Sequence, residues 1–394
     1  MKKLTLALVI ALTFGVALVP LFAAGEFHIG IVTGTVSQGE DVLRGAEKLI
    51  SLYGNAQQGG MIRHITYPDN FSSEMETVIS QIVGLADDPL LKAIVVVEAV
   101  PGTAEAFRRV KQRRPDILCF AGEPQEDPSV IAAVADLSIN SDTLSMGYIM
   151  PFAAKKLGAE TYVHISFPRH MSYELLSRRR MIMEQACKDL GLKFVFETAP
   201  DPTSEVGVPG AQQFILEKLP MWIEKYGKKT AFFSTNNAHV EPLLRQIAAY
   251  GGLYVQTDSP LQGYAGAFGV DLSKEKGDWK AILAKIEKTA VAKGAAGRLV
   301  TWPYPSGYCI AAGLGEIAKR TVEKKASLQN GADILKALAV YSPGVDWNST
   351  AYSDAATQVR LRNFLLVYQD SYVLGKGALG MNQVAIPRKY FSIK

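Results

Sequence analysis

The sequence predicts an α/β protein built as two doubly wound, parallel-sheet lobes. Three observations carry this. From Phe27 to Tyr254, short β-branched runs alternate with amphipathic helical stretches, the pattern of successive βα units. Several runs are almost wholly apolar, Ile94–Val97 above all, which suits strands covered on both faces. Nine such runs are also many for one open twisted sheet, which favours two sheets of roughly four to six strands.

The strand candidates, in order, are Phe27–Thr33, Met61–Tyr67, Lys92–Val97, Asp116–Phe120, Val130–Leu137, Thr161–Phe167, Lys193–Thr198, Thr230–Ser234 and Leu253–Gln256. Between them the helices carry core stripes: Val42, Ala46, Leu49 and Tyr53 in one, Ile215, Leu219, Trp222 and Tyr226 in another. Pro220 interrupts the second stripe and predicts a kink or break there. A boundary between lobes is placed near Ser138–Asn140. Beyond Gln256 the pattern loosens: a Gly-rich stretch at Gly263–Gly269, a helix at Trp279–Lys293, a strand at Arg298–Trp302 and a helix at Gly307–Lys325. The tail holds a short helix (Ala332–Tyr341), a loop and a strand at Val359–Tyr368.

The first residues predict export. Lys2 and Lys3 precede an apolar run, Leu4–Phe22, that ends in Ala23, Ala24 and Gly25, the order of a secretory signal over residues 1–25. A membrane anchor is the competing reading, disfavoured because no positive flank follows the run. The net charge is +4 for the whole chain and about +2 without the two leader lysines, so no basic excess calls for nucleic acid. The mature form is expected not to be embedded in a membrane. Cys119, Cys187 and Cys309 are too few and too scattered for a disulfide framework or a metal site; they read as small buried hydrophobes, with a single bridge left open.

A family resemblance rests on three stretches. Leu137–Leu192 (LSINSDTLSMGYIMPFAAKKLGAETYVHISFPRHMSYELLSRRRMIMEQACKDLGL) runs from a polar turn at Asp142 through a helix and a strand to an Arg-containing helix closed by Gly191. Thr301–Arg320 reads as a returning strand and its helix, and Phe27–Leu49 as a first βα unit. Together they resemble the type I periplasmic solute-binding proteins, the group of sugar and purine-nucleoside receptors, in a divergent branch with a longer segment between Gln256 and Arg298 and a longer tail. The resemblance implies two α/β lobes joined by about three crossovers, a hinge, and a ligand enclosed between the lobes and passed to an ABC-type permease. It implies a first lobe of 26–138 plus about 258–325 and a second of 139–257, with 326–394 in either.

Open parallel sheets present ligand-binding loops beyond the carboxyl ends of their strands, which selects site candidates. After the first strand, Thr33 and Ser37 offer hydroxyls where a helix opens, for a ligand or merely as helix caps. Glu98 and Glu123, after the third and fourth strands, accept ligand hydroxyls or pair with an amine, or sit in solvent. Phe167 and Arg169 combine an aromatic face with a bidentate donor; Arg169 could equally brace the hinge. Asn236 follows the eighth strand as a ligand-orienting amide or a turn residue. Asp258 resembles the acidic cleft position of sugar receptors. Trp302 and Tyr304 are candidate stacking platforms, with core packing as the alternative; Trp347 and Tyr352 are weaker candidates for a lid.

Enzyme signatures are poor. The five His residues lack zinc-protease spacing, and neither a phosphate-binding loop nor a GxSxG elbow occurs. Gly375–Gly380 fits GxGxxG by letter but lacks a following helix. The expectation is a monomeric, exported binding protein for one small polar ligand, sugar- or nucleoside-like, without cofactor, metal or catalytic residues. An exported sensor for a membrane signalling receptor and a secreted α/β enzyme are the alternatives.

Overall fold

The structure is a computed structural model that describes residues 26–69, 71, 73–202, 204–255, 263–354 and 357–393. The expected leader therefore lies outside the described residues. The chain first lays down β1 (His28–Thr33), α1 (Val36–Tyr53), β2 (Ile62–Thr66), α2 (Met75–Gly84), β3 (Leu91–Val97), α3 (Thr103–Arg113), β4 (Leu118–Gly122), α4 (Pro128–Ala132) and β5 (Leu137–Ser141). It crosses to a second body with α5 (Thr143–Lys156), β6 (Thr161–Ser166), α6 (Pro168–Met171), α7 (Glu174–Leu190), β7 (Lys193–Thr198), α8 (Gly207–Tyr226), β8 (Thr230–Ser234), α9 (Val240–Tyr250), β9 (Leu253–Val255), α10 (Tyr264–Phe268), α11 (Trp279–Ala292) and β10 (Leu299–Thr301). It returns through α12 (Ser306–Val322), α13 (Gly331–Ala339), β11 (Trp347–Ser353) and β12 (Arg360–Gln369), then crosses again to β13 (Tyr372–Val373) and β14 (Gly377–Ala378).

Two seven-stranded sheets result, in the orders β11-β12-β5-β4-β3-β1-β2 and β14-β13-β10-β9-β8-β6-β7. All pairings among β1 to β10 are parallel; the antiparallel pairs are at β11–β12, β10–β13 and β13–β14. Sheet twist and alternation explain the layers. In the first lobe Ala93, Val95 and Val97 face α1 and α12, while Ile94 and Val96 face α2 and α3. The apolar run of β3 is thus central because only a strand covered on both faces tolerates it. In the second lobe Val163, Ile165 and Phe232 face one layer, and Tyr162, Ala231 and Phe233 the layer holding α5 and α7.

Several expectations are corrected. The run Val130–Leu137 is not a strand: Pro128 occupies the first turn of α4, and Asp127 Oδ1 caps it by accepting from Ser129 N at 2.8 Å. The strand β5 follows at Leu137–Ser141, so residues 139–141 belong to the first sheet and the crossover falls at Asp142. Of the segment 258–325, the described residues 263–301 do not join the first lobe, because β10 pairs with β9 in the second sheet; only α12 onward returns. The tail is shared, with β11 and β12 in the first sheet and β13 and β14 in the second. Pro220 lies inside an unbroken α8. The GxGxxG letters turn out to be the β13–β14 hairpin and its exit, with Gly375, Gly377 and Gly380 at φ 80°, 87° and 78°. All three cysteines are buried free thiols.

Candidate functional site

β5 ends at Ser141 before the first crossover and β10 at Thr301 before the second, so the parallel strands of each sheet present their carboxyl ends on the side where the chain passes between the lobes. In the first lobe the register pairs Val97 with Gly122, so Glu98 and Glu123 leave neighbouring strands side by side. Both adopt left-handed backbone, at φ 48° and 45°. Glutamate at such angles costs on the order of 1 kcal/mol or more, and the surrounding bonds enforce it. Ala99 N donates to Gly122 O (3.0 Å) and Glu123 N to Ile139 O (2.8 Å), which prolongs the ladder past both residues.

The two carboxylates have different surroundings. Glu123 Oε1 accepts from Ser141 Oγ at 2.8 Å. Glu98 lies under the opening turn of α1, where a Cβ on Gly39 would stand 3.1–3.3 Å from its carboxyl group. Burial pushes the Glu98 carboxyl up to about 8, and the negative charges of Glu123 and Asp41 add to this. Asp41 is also raised, by burial, against the lowering effect of backbone bonds that include those at Gly307 and Tyr308, where α12 begins. Thr33 is wholly buried; its hydroxyl donates to Gly34 O and shares a bond with His64 Nε2, both at 2.9 Å. Its polar atom is therefore engaged within the lobe.

In the second lobe, β6 and β8 end together. Ser166 Oγ and Thr235 Oγ1 are 2.7 Å apart, and His170 Nδ1 meets the same Thr235 hydroxyl at 3.1 Å. The His170 ring packs on Phe167 with centroids 4.2 Å apart. Burial first, then the positive charge of Arg169, lowers His170 to about 4, so its imidazole is neutral near pH 7. Phe167 is buried beneath it. Arg169 donates to both Asp201 oxygens at 2.7 and 2.9 Å and to Tyr173 Oη at 3.2 Å, so its fork is engaged within the second lobe, neither open to a ligand nor bracing the hinge through these bonds. Asn236 Oδ1 accepts from Ala238 N at 2.8 Å and caps a short turn.

The predicted residues thus fall into groups. Thr33, Glu98 and Glu123 share one edge, and Phe167, Arg169 and Asn236 share the other. Trp302 and Tyr304 join neither: they lie in the second crossover. Trp302 is 0% exposed, with its ring 6.1 Å from Trp347, and Tyr304 O accepts at 2.9 Å from Nε2 of Gln369, the last residue of β12 before the third crossover. Trp302 is a hinge-core residue, not an open platform. Trp347 and Tyr352 lie in β11, both buried, rather than in a lid. Ser37 falls in the first turn of α1, but its side chain lies outside the described residues, as does Asp258 entirely.

Sequence reasoning missed His170 and Thr235. The strand-end rule applied to β6 and β8 together would have paired them. It also missed Asp142, wholly buried at the first crossover, which accepts from Ser145 N (2.8 Å) in α5 and from Thr350 Oγ1 (3.0 Å) in β11. A groove between the lobes is lined by Glu40 and Arg44 of α1 and by Asp271, Ser273, Lys276 and Trp279 opposite. Among the described residues, no three His, Cys, Asp or Glu side chains gather to hold a metal ion, and no helix is long and apolar enough to cross a membrane.

Two mostly parallel sheets with flanking helices, joined by three crossovers, match the type I periplasmic binding-protein fold. The chain belongs to the family described as a protein of unknown function, DUF3798, which matches residues 27–300. Two relatives from Treponema pallidum (strain Nichols), each named an uncharacterized protein, are 44% identical over 218 residues (55% of this chain, 100% of the relative) and 43% identical over 182 residues (46% and 82%). Among solved structures, a "putative transcriptional regulator" from Clostridium difficile 630 is similar at TM-score 0.77 and 22% identity, covering 88% of this chain and 99% of its own. A sugar ABC transporter protein from Actinomyces odontolyticus ATCC 17982 is similar at TM-score 0.51 and 11% identity, covering 93% and 99%. These likenesses establish the fold.

Proposed function

We propose that this chain is an exported binding protein that encloses one small polar ligand, sugar- or nucleoside-like, between its lobes and delivers it to an ABC-type permease. What supports the reading is a pair of unlike strand-end edges, one in each lobe. One edge presents two carboxyl groups, Glu98 and Glu123, on neighbouring strands. The other presents a neutral imidazole, His170, fixed by Thr235 and Phe167. Glu98, which keeps its proton near neutral pH, both donates and accepts, Glu123 accepts from hydroxyls or amino groups, and a neutral imidazole supplies a further polar contact beside an aromatic face. Glu98, Glu123 and His170 are each half-buried, so water competes less for their bonds than at an open surface, and a ligand that lacks the partner group is disfavoured. Residues 1–25 carry the export reading through their charged, apolar and small segments.

The test is a thermal-shift screen of the mature chain over sugars, nucleosides, amino acids and vitamins. A ligand at about 100 times its Kd stabilises the native state by about 2.7 kcal/mol, an easily read shift. A hit that Glu98→Ala and His170→Ala both weaken supports the reading. A hit whose affinity neither variant changes would place the site elsewhere, and time-dependent conversion of the bound compound would make the protein an enzyme.

A further inference from the structure

After β14 the chain does not stay with one lobe. Met381 packs in the core layer beside α5, while Asn348 Nδ2 of β11, in the first lobe, donates to Asn382 O. Val384 and Ile386 pack against the apolar clusters of both lobes. Residues 388–392 form a single 3₁₀ turn that docks on α7. Tyr390 lies on Tyr148 of α5, with centroids 4.8 Å apart, and donates to Asp189 Oδ2 of α7 at 2.7 Å; Lys389 Nζ is 2.7 Å from the same oxygen.

Arg178 closes this arrangement. It sits on α7 in the second lobe and is only 2% exposed. Its Nε donates to Ile393 O at 2.8 Å and its Nη2 to Phe391 O at 2.6 Å. Its Nη1 donates at 3.1 Å to Ser353 O, at the end of β11 in the first lobe, and meets Glu174 Oε1 at 3.3 Å. One buried guanidinium therefore binds the tail and an edge strand of the opposite lobe at once. A planar fork with several fixed donors does this; an ammonium cannot serve carbonyls in such spread directions.

We propose that residues 381–393 are a strap across the joint between the lobes, locked by Arg178, which holds the interlobe angle beyond what the three crossovers impose. Rotation that parts β11 from α7 must break the bond to Ser353 and bare the side chains of Ile386, Phe391 and Ile393. A buried guanidinium left without its carbonyls is strongly disfavoured, so the strap releases as a unit rather than bond by bond. The strap stands independently of the ligand reading, since it rests on contacts outside the strand-end edges.

Spin labels at two exposed positions, Gln112→Cys in α3 and Glu224→Cys in α8, report the interlobe distance in the full mature chain; the native cysteines are buried. The intact protein should give one narrow distribution. Arg178→Gln, and separately removal of residues 385–394, should broaden it at least about two-fold towards longer distances. An unchanged distribution in both variants overturns the strap. Should either variant fail to fold, hydrogen exchange of the intact protein decides. Amides of 390–393 protected to within about ten-fold of those in 349–353 and the first turns of α7 support a common unit. Tail amides exchanging about a hundred-fold faster than β11 would show an independently fraying end and overturn it.

Discussion

Glu98 gives the site its sharpest electrostatic signature. Its carboxyl group rises from an ordinary 4.5 to about 8, because of burial and then the charges of Glu123 and Asp41. The sign follows from proton binding. Between about pH 4.5 and 8 the folded protein holds a proton on Glu98 that the unfolded chain has released, so this residue makes stability fall as pH rises through that window. Below it both states are protonated, and above it both are ionised. At about 1.4 kcal/mol per unit the ceiling is ~5 kcal/mol; residual solvent contact and local rearrangement bring the expected cost to roughly 1–3 kcal/mol. Glu98→Gln removes the charge and keeps the shape. Urea denaturation of both proteins at about pH 5 and pH 8.5 reads the effect as a difference of differences, in which the other titrating groups cancel. The variant should match the parent at the lower pH and exceed it by ~1–3 kcal/mol at the higher. A variant that gains nothing between the two would refute the placement of this carboxyl group in a dry, negatively charged environment.

Other outcomes follow from the same geometry. His170, lowered to about 4, should show imidazole proton shifts that stay constant from about pH 7.5 to 5.5 and move only below; a midpoint between 6 and 7 in the NMR titration would contradict its burial against Phe167 and Arg169. Because its folded value lies below its unfolded one, it adds to acid destabilisation as pH falls from about 6.5 towards 4. Trp302→Ala empties a wholly buried site in the second crossover and should cost about 3–5 kcal/mol in denaturant unfolding; a loss under about 1 kcal/mol would mean the ring is not packed as described. Arg169→Ala removes two bonds to Asp201, yet Arg169 is partly exposed, so unfolding stability should drop by only ~1 kcal/mol.

What the sequence made legible was local. The apolar run of β3, the stripes of α1 and α8 and the strand-end rule placed both sheets' parallel cores and brought Glu98 and Glu123 to one edge. What it hid depended on contacts between distant segments. Val130–Leu137 reads as a strand by its apolar content, but the Asp127 cap and Pro128 decide for a helix first. The aromatic Trp302 reads as a platform until Trp347, 45 positions on, is seen to cover it. Thr235 and His170 stand 65 positions apart in the chain and meet only because β6 and β8 are neighbours. The lobe that owns residues 263–301 is a question of which sheet β10 extends, and no periodicity answers that.

The order in which the chain visits its lobes has a consequence for biogenesis. The first sheet pairs β5 with β12, and α12 covers β3 and β4, yet these elements are made only after the whole second lobe apart from its last hairpin. Until residue 369 has emerged, the nascent chain carries β5 as a bare edge beside an uncovered apolar face, ready to pair with any extended neighbour. A product halted near residue 300 would keep that hazard permanently, so truncation should be read out as aggregation rather than as a smaller folded protein.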